Sequence, residues 1–216
     1  MRDTAPDHAA ADPALAKPSF VERRKAELRL EIAREAVRLF TSQGVTSTTG
    51  EQIAQAVGIS ARTLWRHFPT KESCVRPLLA AGLDAAVEAL RHWPAGTPLL
   101  DFVTDAVGDG DGELPTAEPA VLDLIRMTRT EPALRFVWLQ AHDDALPVLA
   151  GLLARRSGKS PDDLAVRVHA ATLNGALAVA AEDFALRFAD DADAPARELT
   201  ARLQAALRAA SEGLPY

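Results

Sequence analysis

The tightest constraint on the fold lies between Thr49 and Lys71, where two helix starts and a helix stop fall close together. Thr49 is a good N-cap, and Gln52, three residues on, completes a capping box. Ile53 and Val57 then fall one turn apart, Gly58 suits the left-handed close of a helix, and Ser60 is a second N-cap ahead of Ala61, Arg62, Thr63, Leu64 and Trp65. Ala54 and Gly58 place two small residues on one face. Ile53, Val57, Ile59 and Leu64 supply the apolar positions that hold such a pair at a steep angle, the geometry of a helix-turn-helix.

The second helix of the pair projects its chemistry outward. Arg62, Thr63, Trp65, Arg66 and His67 offer guanidinium, hydroxyl, indole and imidazole groups, with Lys71 opening the next segment. Arginine pairs bidentately with guanine edges or sits on phosphates, while hydroxyl, imidazole and ammonium groups hold the DNA backbone. Glycine-joined helix pairs with solvated charged faces also occur in many all-helical proteins, so the surrounding chain has to decide.

Charge supports the DNA reading once the chain is divided. The formal net charge is −6. Residues 20–76 nevertheless hold ten Lys and Arg against six Asp and Glu, whereas residues 77–216 hold twelve against twenty-one. A basic module on an acidic body is the asymmetry expected where one end meets a polyanion. Composition sets the fold class: aromatics are only 5% of the chain and Ala and Leu dominate, which favours helices. An all-α protein is expected.

Upstream, Leu28, Ile32, Ala36, Leu39 and Phe40 form one apolar face of a helix over 20–43, closed by Gly44. Arg23, Arg24 and Lys25 cluster at its start, as solubilising charge or as phosphate contacts. Before it, residues 1–19 are rich in Ala, Asp and Pro and read as a disordered N-terminal arm.

With this platform helix in place, the run from Ala33 to Leu79 resembles the N-terminal DNA-binding domain of the tetracycline-repressor (TetR) family of bacterial transcriptional regulators. The LFTSQG helix end, the TTGEQIAQAVGIS turn and the TLWRHFPTKE tail carry the likeness. The resemblance implies that Thr49 meets a phosphate at the start of the second helix, that Ala61 and Arg62 reach base edges, and that Thr63 and Lys71 hold phosphates. His67 sits where the family has Tyr or His. Trp65 takes the place of the usual Tyr, a departure that replaces a phenol oxygen by a larger indole donor. Leu64 and Phe68 read as core.

The body begins with a linking helix over 70–93, interrupted or kinked by Pro77. A short helix over 97–107 and an acidic turn follow. Asp109, Asp111 and Glu113 in that turn lack the spacing and the bidentate glutamate of an EF-hand. Helical periodicity resumes over 117–128, 133–156, 162–188 and 195–211, with Pro132, Pro161 and Pro195 near helix starts and Pro147 inside one, where a kink is expected. These segments should form a bundle. The last two are rich in Ala and Leu, which suits either core packing or a subunit seam. By resemblance they would pair with their copies in a four-helix dimer interface.

Phe102, Met127, Trp138, His142, His169 and Asn174 are the aromatic and polar residues within these apolar helices, and they are the candidates for lining a ligand pocket. His142 beside Asp143 and Asp144 does not read as a metal site, because adjacent helical residues diverge. No metal or cofactor is expected. Cys74, the single cysteine, excludes an intrachain disulfide and suits a reduced compartment. The absence of an apolar run near bilayer-spanning length, and of a signal-peptide core, leads to a cytoplasmic expectation without membrane association.

These readings define a helix-turn-helix DNA-binding domain over 20–69 joined to a larger helical ligand-binding and dimerisation domain over 70–216. The expected function is a homodimeric, ligand-responsive transcriptional regulator, a repressor released from a palindromic operator in double-stranded DNA by a small-molecule effector. A constitutive DNA-binding or architectural protein of the same fold is the alternative. A helical-bundle enzyme is the remote one, lacking a nucleophile–base pair or a phosphate-binding glycine loop.

Overall fold

Capping chemistry sets the first helix boundaries. The computed structural model describes residues 19–108, 118–188 and 196–212. Most of the proposed arm, the acidic turn with Asp109, Asp111 and Glu113, and Pro195 lie outside these residues. Helix α1 spans Phe20–Gln43 behind a Ser19–Glu22 capping box and ends at Gly44, whose φ of 86° suits a residue without Cβ. Helices α2 (Gly50–Ala56) and α3 (Ala61–His67) start at Thr49 and Ser60, as their cap residues predict. Thr49 Oγ1 accepts from the Gln52 amide at 3.2 Å and Gln52 Oε1 accepts from the Thr49 amide at 2.8 Å, while Ser60 Oγ accepts from the Thr63 amide at 3.1 Å.

The linking segment is broken rather than continuous. A 3-10 turn over Glu72–Val75 precedes α4, Arg76–Arg91, and Pro77 falls in the first turn of α4, where its missing N–H costs nothing. The body continues with α5 (Leu99–Gly108), α6 (Pro119–Met127), α7 (Pro132–Ser157), α8 (Leu164–Arg187) and α9 (Ala196–Ser211). Helix α7 runs through Pro147 as one element and closes at Gly158, in left-handed geometry. The described residues are all-α, as composition led one to expect.

Two apolar clusters organise this order. The first joins Ile32, Ala36 and Phe40 of α1, Ile53 and Leu64 of the helix pair, Val75 and Leu78, Leu124 of α6, and Leu134 and Trp138 of α7. It therefore runs without a break across residues 69 and 70. The second cluster gathers Leu90, Val103, Leu149, Val166, Leu173 and Leu207 at the far end of the bundle. Polar straps reinforce the junction. Arg34 of α1 grips Glu118, the N-cap residue of α6, at 2.5 and 3.1 Å, and Arg76 of α4 pairs with Asp144 of α7.

The expectation that no segment could cross a membrane needs correction for α8. Its 24 residues are long and apolar enough by composition, and only 28% of its most apolar window is buried within one chain. The helix packs between α7 and α9, and its alanine-rich sequence is that of a helix meeting neighbours on several sides.

Candidate nucleic-acid interface and interior cavity

The α2–α3 pair leaves one face open. Leu64 is buried under it, while Arg62 and Arg66 are exposed and Trp65 is 40% exposed. Thr49 stands exposed at the head of α2, its amide and hydroxyl both engaged in the capping box with Gln52. Ala61 and Thr63 are partly covered, and the Thr63 hydroxyl lies 2.9 Å from Ser60 Oγ.

His67 closes α3 near a cationic group that the helix-pair sequence does not reveal. Burial first, then the charges of Arg66, Lys25 and Arg29, push the His67 imidazole below its ordinary range. Arg29 also lays its guanidinium over the Phe68 ring, 5.0 Å from the centroid. Arg29 thus belongs to the basic face along with the cluster at the start of α1. Its signal was present in the sequence, one helical turn after Lys25 on the same face.

Two residues are placed otherwise than the sequence implied. Lys71 does not hold out a free ammonium. Its Nζ donates to the carbonyls of Val45 at 2.6 Å and Thr48 at 2.8 Å, and approaches that of Thr46 at 3.4 Å. An ammonium has three protons, and three acceptors of the α1–α2 turn surround it. Lys71 is therefore a clamp on the turn that leads into Thr49. The same turn is tied by the Thr48 hydroxyl to the Gly44 carbonyl at 2.8 Å and by the Gln43 amide to Thr48 and Gln52, each at 3.1 Å.

Trp65 lies across the start of α2. A Cβ built on Gly50 would come 2.1 Å from Trp65 Cζ2 and 2.2 Å from Cη2, so the indole occupies the space a side chain at residue 50 would take. Gly50 itself is buried beneath it. The indole is thus half platform and half surface, and it depends on a glycine fifteen residues earlier.

Behind the DNA-facing module is a cavity of about 330 Å³. Its walls come from α4, α6, α7, α8 and α9, with Leu79, Leu83, Ile125, Leu177, Phe184 and Leu203 among the apolar lining. Of the six pocket candidates, Trp138 and His142 stand in the wall. Asn174 is behind it, with its Oδ1 2.8 Å from His142 Nδ1 and its Nδ2 donating to the His142 carbonyl at 3.1 Å. The other three are elsewhere. Phe102 stacks on Trp93 at 6.3 Å in the second cluster, Met127 packs against the first cluster outside the cavity wall, and His169, exposed on α8, lines a separate pocket of about 270 Å³ with Arg156 and Lys159. Helical periodicity identified apolar faces but not which face met the cavity, because that depends on how five helices cross. Glu118, which the sequence reading did not single out, lies in the wall while holding Arg34.

Comparison with known proteins agrees with this division. Residues 32–78 match the family model described as bacterial regulatory proteins, tetR family, and residues 97–215 match one described as MftR C-terminal domain. The HTH-type transcriptional regulator TcmR of Streptomyces glaucescens is 33% identical over 152 residues, covering 68% of this chain and 67% of that protein. The HTH-type transcriptional repressor KstR2 of Rhodococcus jostii is 40% identical over 60 residues, covering 28% of this chain and 29% of its own. Among solved structures, the fatty acid degradation regulator FadR from Bacillus halodurans superposes with a TM-score of 0.51 at 17% identity, over 88% of this chain and 97% of that one. That last likeness is one of fold.

Proposed function

Because the chain belongs to the TetR family of bacterial regulatory proteins, and is a helix-turn-helix transcriptional regulator, we propose that it is a cytoplasmic homodimeric repressor, released from a palindromic operator when a small molecule fills the cavity beneath α4. The observation that carries this reading is the shared core. A cavity wall built from α4 and α6 abuts the same packed cluster that seats α1 and the helix pair. An occupant that favours one arrangement of α4 and α6 shifts the spacing of the two recognition helices, and two helices fit a palindrome only at one spacing.

In this reading Arg62 is the base-reading residue, with Ala61 leaving room for a base edge beside it. Thr49, Thr63, Arg66 and His67 hold the backbone, Trp65 packs on the sugar–phosphate surface, and Lys71 acts through the turn it clamps. The Arg34–Glu118 strap is the polar link between cavity and α1. The direct test is capture of binding sites with the purified full chain. Enrichment of a two-fold symmetric sequence is expected, and Arg62→Ala should relax preference at specific base positions. Enrichment that tracks only duplex concentration would leave the constitutive, sequence-indifferent reading in its place.

The subunit seam is assigned to α7 and α8 rather than to the last two helices. His142 faces Asn174 and Arg135 pairs with Glu182, so the two helices run antiparallel and bring Leu139 level with Val179. Both are exposed, together with Phe136 on α7 and with Val168 and Leu186 on the same side of α8 as Val179, while no large exposed hydrophobic residue lies among the described side chains of α9. A second copy of the chain covers that surface most simply.

A further inference from the structure

We infer that Lys25 and Arg29 of α1 close with Arg66 of α3 into a phosphate seat for double-stranded DNA, outside the helix-turn-helix itself; this rests on α3 reading the duplex as proposed above. The argument begins with where the two side chains fall on α1. Residues 25, 29, 32, 36 and 40 follow at helical spacings of three and four, so Lys25 and Arg29 extend the line of Ile32, Ala36 and Phe40, which are buried in the core shared with the helix pair. Charge that serves only solubility belongs on the outer side, where Arg24, Glu27 and Glu31 share a line and stand exposed. Here it continues the inner side, past the point where the packing stops.

What the inner side meets there is the end of α3. The Arg29 guanidinium lies 5.0 Å from the centroid of the Phe68 ring, and Phe68 is the residue that closes α3. The aromatic face holds the cation in place. Arg66 stands exposed in the last turn of α3, beside His67. After burial, the charges of Arg66, Lys25 and Arg29 are what disfavour a proton on the His67 ring, so cations from two helices converge at this one place.

No acid answers them. Farther along α1, Arg34 is paired with Glu118 and Arg38 with Glu35. Among the described residues, by contrast, no carboxylate lies within ion-pair distance of Lys25, Arg29 or Arg66. Glu22, the acid on the same line of α1, is turned back to accept from the Ser19 amide at 2.7 Å. Like charges gathered this way repel one another until an anion comes among them. Arg66 falls one turn after Arg62 on one face of α3, so the duplex that Arg62 reads brings its own phosphates to this end. The Lys71 ammonium is spent on the α1–α2 turn, and α1 supplies backbone-holding charge in its stead.

The test uses the full chain and a duplex of arbitrary sequence, because a phosphate seat reads no bases, with affinity followed by anisotropy between about 50 and 200 mM salt. Lys25→Gln and Arg29→Gln should each make the slope of log affinity against log salt shallower by about one for every copy bound. Arg24→Gln removes the same charge from the outer side of the same stretch of helix, and its slope should stay close to that of the unaltered chain. An unchanged slope in Lys25→Gln, or an equal flattening in Arg24→Gln, would overturn the seat. Lys25 is exposed and packs on nothing, so its variant decides the matter even if Arg29→Gln, which uncovers Phe68, fails to fold. Failure of the unaltered chain to bind any duplex at low salt would overturn the DNA reading itself, an outcome distinct from binding with a slope that Lys25→Gln does not move.

Discussion

At the scale of single residues, the helix-turn-helix depends on two contacts between residues well separated in sequence. Gly50 and Trp65 share one volume, so a methyl group at residue 50 must push the indole away. Gly50→Ala should weaken operator binding and raise the solvent exposure of Trp65, read by fluorescence quenching. In a Trp65→Ala background the same change should cost nothing further, and additive losses would show that the two residues act separately. Lys71 is the second. Removing its ammonium leaves the carbonyls of Val45 and Thr48 without their charged donor, which for Lys71→Met should cost about 1–3 kcal/mol in denaturant unfolding. Operator affinity should fall while its salt slope stays the same, because the ammonium is spent on the turn. A slope shallower by about one would instead count it as a phosphate contact. Cys74, by contrast, is inert: burial, with Glu72 adding to it, pushes its thiol up to about 12, so alkylation should follow unfolding only.

At the scale of elements, the caps show why so much of the fold was readable. Ser19, Thr49 and Ser60 start their helices by accepting from amides three residues on, and Gly44 and Gly158 end theirs by a local conformation. Such signals sit wholly within a few residues of sequence. The exposure of two candidate site residues was readable to the same depth: Arg62 is exposed by its phase on α3 and Thr49 by its cap position. What escaped is whatever needs two elements to meet. The Gly50–Trp65 fit, the Lys71 clamp and the exile of Phe102, Met127 and His169 from the cavity each depend on how helices cross. His142 and Asn174 meet across α7 and α8 in the same way, and they carry a pH consequence. The His142 and His67 pKa values are both lowered, chiefly by burial, so in acid the unfolded chain binds protons that the folded chain refuses. Their contribution to stability is complete above about pH 6.5 and drains away as pH falls below it toward the depressed values. Unfolding midpoints measured between pH 7.5 and 5 should drop through that window, and the drop should shrink when His142 is replaced by Leu in a chain that still folds.

At the scale of the whole molecule, the proposed palindrome calls for a second copy fixed beside the first, so the proposed seam on α7 and α8 bears directly on affinity. Val179 is 62% exposed in the isolated chain, level with the 53% exposed Leu139 across the helix pair. A glutamate at residue 179 costs little in such a solvated monomer, but in a closed seam it would be buried without a partner. Val179→Glu should therefore leave the thermal midpoint of the monomer nearly unchanged and raise the dimer dissociation constant by roughly a hundredfold or more in sedimentation equilibrium. Binding to a full palindrome should fall toward that of a half-site, since the second recognition helix no longer arrives tethered to the first. Ala209→Glu, on the exposed side of α9, separates this seam from one made by the last two helices. It should leave both the sedimentation behaviour and palindrome binding as they were, whereas dissociation by Ala209→Glu with Val179→Glu still dimeric would move the seam to α9.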